Sequence, residues 1–230
     1  ALTLDMSAAG AATFNSTING VGIKNFGTDS ILISQDAGTG TISGANYNAG
    51  FGHEVFNALT SGDQNSSFGA FSLTAVTTGS DNTAIGLNNL RALTTGSQNT
   101  SVGSLALRTA TTTDNNTAVG YAALNANTTG ATNTAVGASA LTANTTGAQN
   151  TVIGSSAGLA LTTGSNNVAL GFEALKNEDA HGLNTAIGTQ ALFAQNAGAD
   201  AYNVGVGYQA GAAITTGTNN TIIGGLAGDA

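Results

Sequence analysis

The stretch Asn116-Thr117-Ala118-Val119-Gly120 decides the fold, because most of the chain repeats it. An Asn followed four residues later by a Gly occurs eleven times, with the Asn at positions 48, 65, 82, 99, 116, 133, 150, 167, 184, 203 and 220. Successive Asn residues are 17 apart, except for one step of 19 from Asn184 to Asn203. A fixed period of this length is typical of a solenoid, in which each copy forms one coil and stacks on the next.

Seven copies keep the pattern most closely, and we assign the structural role in the repeat to their Asn, the apolar β-branched residue and the Gly. These residues are Asn82, Ile85 and Gly86; Asn99, Val102 and Gly103; Asn116, Val119 and Gly120; Asn133, Val136 and Gly137; Asn150, Ile153 and Gly154; Asn184, Ile187 and Gly188; and Asn220, Ile223 and Gly224.

Each position of the repeat has a physical reason. Alternation along a strand places Thr117 and Val119 on one face and Ala118 on the other. Because the residue before each Gly returns in every coil, its copies are expected to stack into a continuous apolar file that faces inward. Gly120 suits a turn with positive φ or a close approach of neighbouring backbone. Stacked Asn side chains are expected to form amide ladders; the alternative is that Asn and Gly are general turn formers.

Two further positions recur within the coil. A large apolar residue lies four after the Gly in eight copies, at Phe56, Leu73, Leu90, Leu107, Leu124, Leu141, Leu175 and Leu192, and Gly158, Gly211 and Gly228 take this place in three others. Thr-Thr-Gly closes the coil at residues 77–79, 94–96, 128–130, 145–147, 162–164 and 215–217. This pattern predicts two strands of about five residues and two turns per coil, and a rod about 50 Å long.

The sequence therefore predicts an all-β chain with two parts. Residues 48–230 are expected to form a parallel β-solenoid, or β-roll, of 17-residue coils. Residues 1–47 are expected to form a short-strand β segment that leads into the stack. Alternation predicts its strands at 2–6, 12–18, 31–34 and 40–43, with turns at Gly10 and at Asn19-Gly20.

Composition excludes several other classes. Charged residues make up 7% of the chain, against about 25% in ordinary soluble domains, but the strict period excludes a disordered chain. The absence of Cys excludes disulfide scaffolds and thiol chemistry. Four Lys and Arg residues and a net charge of −8 argue against a nucleic-acid partner. No run of 18 apolar residues occurs, so membrane insertion is not expected.

No constellation of residues favours catalysis, a cofactor or a metal ion. The two histidines, His53 and His181, lie about seven coils apart. Glu173, Glu178 and Asp179 resemble paired acid–base carboxylates, but no aromatic-lined cleft accompanies them, and they are expected in a solvated loop. The Gly-Gly-x-Gly-x-Asp repeat of calcium-binding solenoids does not recur in phase.

Two segments depart from the repeat. Residues 173–181 replace Thr-Thr-Gly with charged residues, and residues 195–200 lie in the copy with the two-residue insertion. Such departures are expected as loops on one face of a solenoid. They are either binding sites or tolerated decoration.

The stretch Asn116–Leu124, followed by Thr-Thr-Gly, resembles a repeat of tailed-bacteriophage tail fibre proteins and, more loosely, the head repeats of trimeric autotransporter adhesins. The opening Leu2–Phe14 looks like a segment common in phage tail fibres. Together these stretches and their copies cover nearly the whole chain. The resemblance implies left-handed β-rolls packed as a homotrimeric fibre. Each coil supplies few large apolar side chains, which fits three rolls packed about a threefold axis.

The resemblance favours a non-enzymatic structural component of a phage tail fibre, extracellular on the virion, that acts as a shaft or spacer or in host attachment. Its implied partners are two further copies of itself, other virion tail proteins and a host surface receptor. The alternative is the head of a trimeric adhesin on a bacterial cell surface, and a third hypothesis is an ice-binding solenoid. Ice binding requires Thr residues on one flat face, whereas the adjacent Thr residues of Thr-Thr-Gly point to opposite faces.

Overall fold

A computed structural model describes residues 17–18, 21–25, 30–34 and 44–228, and all of their strands form one sheet in chain order. β1 covers Thr17–Ile18, β2 Val21–Asn25 and β3 Ile31–Ser34. One three-residue strand follows in each copy of the repeat: β4 Ala49–Phe51, β5 Ser66–Phe68, β6 Thr83–Ile85, β7 Thr100–Val102, β8 Thr117–Val119, β9 Thr134–Val136, β10 Thr151–Ile153, β11 Val168–Leu170, β12 Thr185–Ile187, β13 Val204–Val206 and β14 Thr221–Ile223. The described ranges contain no helix.

The strands from β3 to β14 pair in parallel and in one register. Val119 pairs with Val102 on one side and with Val136 on the other, so equivalent residues of successive coils lie side by side. The 19-residue step keeps this register, since Ile187 still pairs with Val206. The predicted parallel β-solenoid is confirmed.

The segment before the repeat joins the same sheet. β1 and β2 are antiparallel, with Ile18 opposite Val21, as the predicted hairpin requires. β2 is antiparallel to β3, and β3 pairs in parallel with β4, so the predicted strand at residues 31–34 is confirmed as the first layer of the stack. The other predicted strands, at residues 2–6, 40–43 and 12–16, lie outside the described residues.

Each coil contains one short strand, so the prediction of two five-residue strands was wrong. After the strand, Ala122 and Leu124 have φ of 55° and 51°, and these left-handed residues bend the chain into a series of turns. Their N–H groups donate to neighbouring coils, from Ala122 to the Ser104 carbonyl and from Leu124 to the Ala140 carbonyl, both at 3.0 Å. Inter-coil hydrogen bonds thus stabilise a conformation that Ala and Leu rarely adopt by themselves.

The core is a narrow channel inside the coils, filled by files of stacked side chains. Ala118, the middle residue of its strand, is fully buried, and so is Leu124, at the predicted apolar position four after the Gly. A third inward file lies three residues further on and was not predicted. It consists of Leu59, Val76, Leu93, Ala110, Asn127, Asn144, Leu161, Glu178 and Gln195, all at most 1% exposed.

Side-chain volume is balanced where a Gly replaces the large apolar residue. A Cβ built on Gly158 would lie 3.6 Å from both methyl groups of Val152, which stands where nine of the other ten repeat strands have Ala, Ser or Gly. At Gly228 the equivalent space is filled by Ile222, whose Cδ1 would lie 3.3 Å from an added Cβ. In these two copies the larger side chain in the middle of the strand fills the volume that the missing Leu leaves. At Gly211, whose own strand has Gly205 in the middle, Ile222 of the next coil and Leu192 of the previous coil fill the space.

The Gly that ends each strand meets both predicted requirements. Gly120 has φ of 135°, in the region that favours Gly, and a Cβ added there would lie 2.5 Å from the carbonyl oxygen of Gly137 in the next coil. Neither feature tolerates a side chain.

The Asn side chains form the predicted ladder inside the roll. Asn116 is 1% exposed, and its Nδ2 donates to Oδ1 of Asn99 at 3.2 Å and to the Gly130 carbonyl at 3.1 Å. Its own Oδ1 accepts the backbone N–H of Asn133. One amide therefore binds the previous coil, the next coil and the far end of its own coil.

A second ladder, which was not predicted, runs through the first Thr of Thr-Thr-Gly. The hydroxyl of Thr128 donates to the carbonyl of Thr145 at 3.0 Å, and that of Thr145 donates to Thr162 at 3.1 Å. The hydroxyl of Thr162 donates to the carbonyl of Asp179 at 2.6 Å. The ladder ends there, since Asp179 has no hydroxyl to continue it.

Candidate interaction face

The first and third residues of β4–β14 form a ribbon on the outside of the roll, here called the strand face. Its first row is Ala49, Ser66, Thr83, Thr100, Thr117, Thr134, Thr151, Val168, Thr185, Val204 and Thr221. Its second row is Phe51, Phe68, Ile85, Val102, Val119, Val136, Ile153, Leu170, Ile187, Val206 and Ile223. Eleven strands at about 4.8 Å give the face a length of about 50 Å.

The second row is the continuous apolar file expected from the sequence, but its expected inward orientation is wrong for the single roll, because the row lies on the outer surface. Ile85 is 43% exposed, Leu170 44% and Ile223 71%, whereas Ala84, the middle residue between Thr83 and Ile85, is fully buried. The residues assigned to the repeat thus separate into three places: the Asn residues inside, the Gly residues at the turn, and the β-branched residues on the strand face.

The strand face carries no charged side chain in β4–β14. The charged residues of the range 44–228 all lie outside the strands, as Arg91 and Glu173 do. Thr hydroxyls supply the polar atoms of the face, and Ile and Val supply its apolar surface. A long uncharged ribbon of this kind is suited to burial against another surface.

The first coils carry aromatic side chains at one end of the face. Phe51 and Phe68, neighbours in the second row, stack with ring centroids 5.0 Å apart and planes 10° apart. His53 and Phe71, which follow the same two strands, make an edge contact at 4.9 Å. Offset or edge contacts of these kinds add modest stability beyond the area they bury.

A further set of exposed apolar side chains follows the strand-ending Gly. Leu87 is 47% exposed, Tyr121 59%, Phe172 50% and Tyr208 54%. The same position is occupied by small or polar residues in coils between them, such as Ala138. This row is therefore interrupted, unlike the strand face beside it.

The charged segment after β11 contains one fully engaged carboxylate. Glu173 accepts from Nζ of Lys176 at 2.6 Å and from the side-chain amide of Gln190 in the next coil at 2.9 Å. The Lys176 and Gln190 hydrogen bonds lower the pKa of Glu173 below its ordinary value. Lys176 also lies over the Phe193 ring, 5.4 Å from its centroid.

Glu178, in contrast, lies inside the roll, so its expected place in a solvated loop was wrong. Its side chain is fully buried at the third inward position, where Leu161 stands one coil earlier. Burial raises the pKa of Glu178, while the backbone N–H groups of His181 and Ala197 and the imidazole of His181 oppose this shift. Asp179 is exposed and His181 half-buried, and one ligand atom of each lies within 4.8 Å of the others and of Glu178.

The two histidines are not brought together. His53 follows β4, whereas His181 lies between β11 and β12, seven strands further along the stack. One feature of the sequence could have indicated the cluster of Glu178, Asp179 and His181. Aligning the coils places Glu178 in register with Leu93 and Leu161, which identifies it as an inward residue.

Comparison with protein-family models, with curated proteins and with solved structures found no match to this chain. In the part of the chain that the structure describes, no helix has the length and apolar character needed to cross a membrane.

Proposed function

We propose that the chain is the shaft of a homotrimeric fibre in which the strand faces of three copies pack about a common axis. The observation that carries the proposal is the second row of the strand face, an unbroken apolar file on the surface of the single roll. The uncharged character of the whole face supports the same role. The resemblance of the repeat to phage tail fibre proteins supplies the number three.

The energetics favour burial of this face. The channel inside each coil holds mostly Ala and one or two larger side chains, so the single roll buries little apolar surface per residue. Burial of the exposed 43% of Ile85 contributes on the order of 1–2 kcal/mol. Six of the eleven second-row residues are at least 37% exposed, so burial of the whole row contributes on the order of 10 kcal/mol per chain, from which the entropic cost of association must be subtracted.

The biological role proposed for the fibre is that of a spacer in the tail fibre of a tailed bacteriophage, with a part in host-cell attachment. The alternative is the head of a trimeric bacterial surface adhesin. Both roles use the same architecture, and the sequence that flanks the repeat distinguishes them. A membrane-anchoring barrel favours the adhesin, and a baseplate-attachment or self-cleaving chaperone region favours the phage fibre.

One observation favours ice binding as a second candidate. Thr100, Thr117, Thr134 and Thr151 lie in register on one face, next to an aliphatic row. The expectation that the Thr residues point to opposite faces concerns Thr-Thr-Gly and does not apply to this row. A flat face of regularly spaced hydroxyl and methyl groups suits ice in a monomer, and it suits a protein interface in a trimer.

The mass of the full-length chain in solution tests the proposal. Light scattering is expected to give three times 22.3 kDa. Ile85→Asp is expected to make the trimer dissociate at a lower denaturant concentration than the wild type, while circular dichroism in buffer remains that of a β-roll, because Ile85 faces outward. Asn57→Asp, which adds the same charge at an exposed turn outside the strand face, is expected to remain trimeric.

A folded wild-type monomer would overturn the trimer. In that case a measurement of thermal hysteresis on the same sample decides whether the strand face binds ice. A trimer whose dissociation in denaturant is unchanged by Ile85→Asp would mean that another surface holds the copies together.

A further inference from the structure

The buried carboxylate of Glu178 stands in a file of apolar and amide side chains, in which Nε2 of Gln195 and Oδ1 of Asn144 are also buried without a hydrogen-bond partner among the described residues. It occupies the third inward position, between Leu161 in the coil before and Gln195 in the coil after. At the same position, Asn127 and Asn144 use their amides to close their own coils through Gly130 and Gly147. A carboxylate cannot donate such hydrogen bonds, so the presence of Glu178 at this depth requires another explanation.

The immediate surroundings of Glu178 leave part of its charge unpaired. Oε1 accepts the backbone N–H of His181 at 3.2 Å and lies 3.5 Å from Nδ1 of the same residue. Oε2 is buried and makes no hydrogen bond with the described residues, since the Ala197 N–H that lowers the pKa of this carboxyl does not reach hydrogen-bond geometry, and Nδ1 of His181 makes no hydrogen bond beside its 3.5 Å contact with Oε1. A buried carboxylate oxygen without a hydrogen bond is costly unless a ligand binds it.

Asp179 supplies a third ligand from the solvent side. Its backbone is fixed by Thr162, whose N–H and hydroxyl both donate to the Asp179 carbonyl. Asp200, from the coil with the insertion, accepts the N–H of Gly182 at 2.9 Å and fixes the other end of the segment. The cation nearest in sequence, Lys176, is already paired with Glu173.

We propose that Glu178, Asp179 and His181 bind one divalent cation of the zinc type. The set offers one imidazole nitrogen and two carboxylates, the ligand types that Zn²⁺ takes in proteins, with water in the fourth position. The ligand atoms lie within 4.8 Å of one another. A tetrahedral zinc ion holds its ligands about 3.4 Å apart, so side-chain movements of roughly 1 Å complete the site.

The ion would compensate the unpaired atoms inside the roll. It would take up Oε2 of Glu178 and Nδ1 of His181 together and connect the coil interior to the exposed Asp179. Such a site fixes the segment where the Thr ladder ends. It stands within one chain and does not depend on trimer formation.

Isothermal titration of ZnCl₂ into the full-length, chelator-treated protein tests the site. One ion per chain is expected, and CaCl₂ is expected to bind far more weakly, because calcium prefers oxygen ligands. His181→Ala is expected to weaken zinc binding by about tenfold or more, since even groups that merely orient metal ligands contribute that much. His53→Gln, which changes the other histidine, is expected to bind zinc as the wild type does.

A second variant distinguishes a loss of zinc binding from a loss of folding. Glu178→Gln removes the buried charge, so its melting temperature without metal is expected to equal or exceed that of the wild type, and the increase that zinc gives the wild type is expected to be lost. Absence of saturable zinc binding, equal binding by His181→Ala, or calcium binding as tight as zinc binding would each overturn the proposal.

Discussion

The side-chain carbonyl oxygen of Asn116 accepts the backbone N–H of Asn133, one coil further on, at 2.9 Å. The same bond recurs along the stack, from Asn65 on Asn48 to Asn220 on Asn203. Each Asn therefore satisfies a buried backbone group that the short strands leave without a partner. The Asn ladder thus links neighbouring coils at the start of each coil, as the backbone hydrogen bonds between paired strands link them further along.

Asn116→Ala is expected to lower the free energy of unfolding by about 1–3 kcal/mol, because the N–H of Asn133 loses its partner inside the roll. Chemical denaturation followed by circular dichroism measures the change. Asn57→Ala, at an exposed turn position, is the matched control and is expected to change stability by less than about 0.5 kcal/mol. Equal effects of the two variants would show that the ladder contributes no stability.

Gly120→Ala is expected to destabilise the stack severely. The new Cβ would lie 2.5 Å from the Gly137 oxygen, and φ of 135° is strained for any other residue. Thermal melting and the yield of soluble protein report the effect. Gly198→Ala is the control: a Cβ there meets no atom within 4 Å, and the variant is expected to melt within a few degrees of the wild type. A soluble Gly120→Ala protein that melts with the wild type would refute the close approach of the coils at this turn.

Lys176→Met is expected to produce a pH-dependent loss of stability. The hydrogen bond from Lys176 lowers the pKa of Glu173 in the folded protein. The interaction therefore contributes stability above the ordinary glutamate pKa of about 4.3 and loses it as the pH falls through the lower folded value. The difference in melting temperature between wild type and variant should be present at pH 7 and shrink below about pH 4.

Arg91→Met is the control for this pH dependence. Arg91 lies over the Phe71 ring at 5.3 Å, as Lys176 lies over Phe193 at 5.4 Å, and the structure shows no ion pair between Arg91 and any described carboxylate. Its effect on melting temperature is expected to be the same at pH 7 and at pH 4. A pH-independent effect of Lys176→Met would mean that its contact with the ring, and not with Glu173, stabilises the protein.

The sequence alone predicted the solenoid, its period and the stacking of the repeat residues, because one-dimensional order translates directly into register. It placed Leu124 among the large apolar positions and Asn116 in a ladder, and both are buried as these roles require. The number of strands per coil could not be predicted from the sequence. Ala122 and Leu124 have no local preference for positive φ, and their conformation results from hydrogen bonds to neighbouring coils.

The burial of Glu178 in the acidic segment was also not predicted from the sequence. Glu, Asp and His in a stretch that breaks the repeat usually lie on the surface, and Asp179 does. The position of Glu178 depends instead on counting from Leu175, which places it three residues on, at an inward site. Register therefore outweighs residue type in this fold, and the inward carboxylate is visible in the sequence only after the coils are aligned.

The two extra residues of the 19-residue coil are accommodated between Gln195 and Ala201, while the strands on both sides stay in register. The contacts between neighbouring coils therefore do not depend on how many coils the rod contains. Each 17-residue copy adds one increment of about 4.8 Å. Recombination between near-identical copies would lengthen or shorten the molecule by whole increments and leave every interface type unchanged. Duplication or deletion of one copy can thus change the length of the rod by one coil, and the fold stays the same.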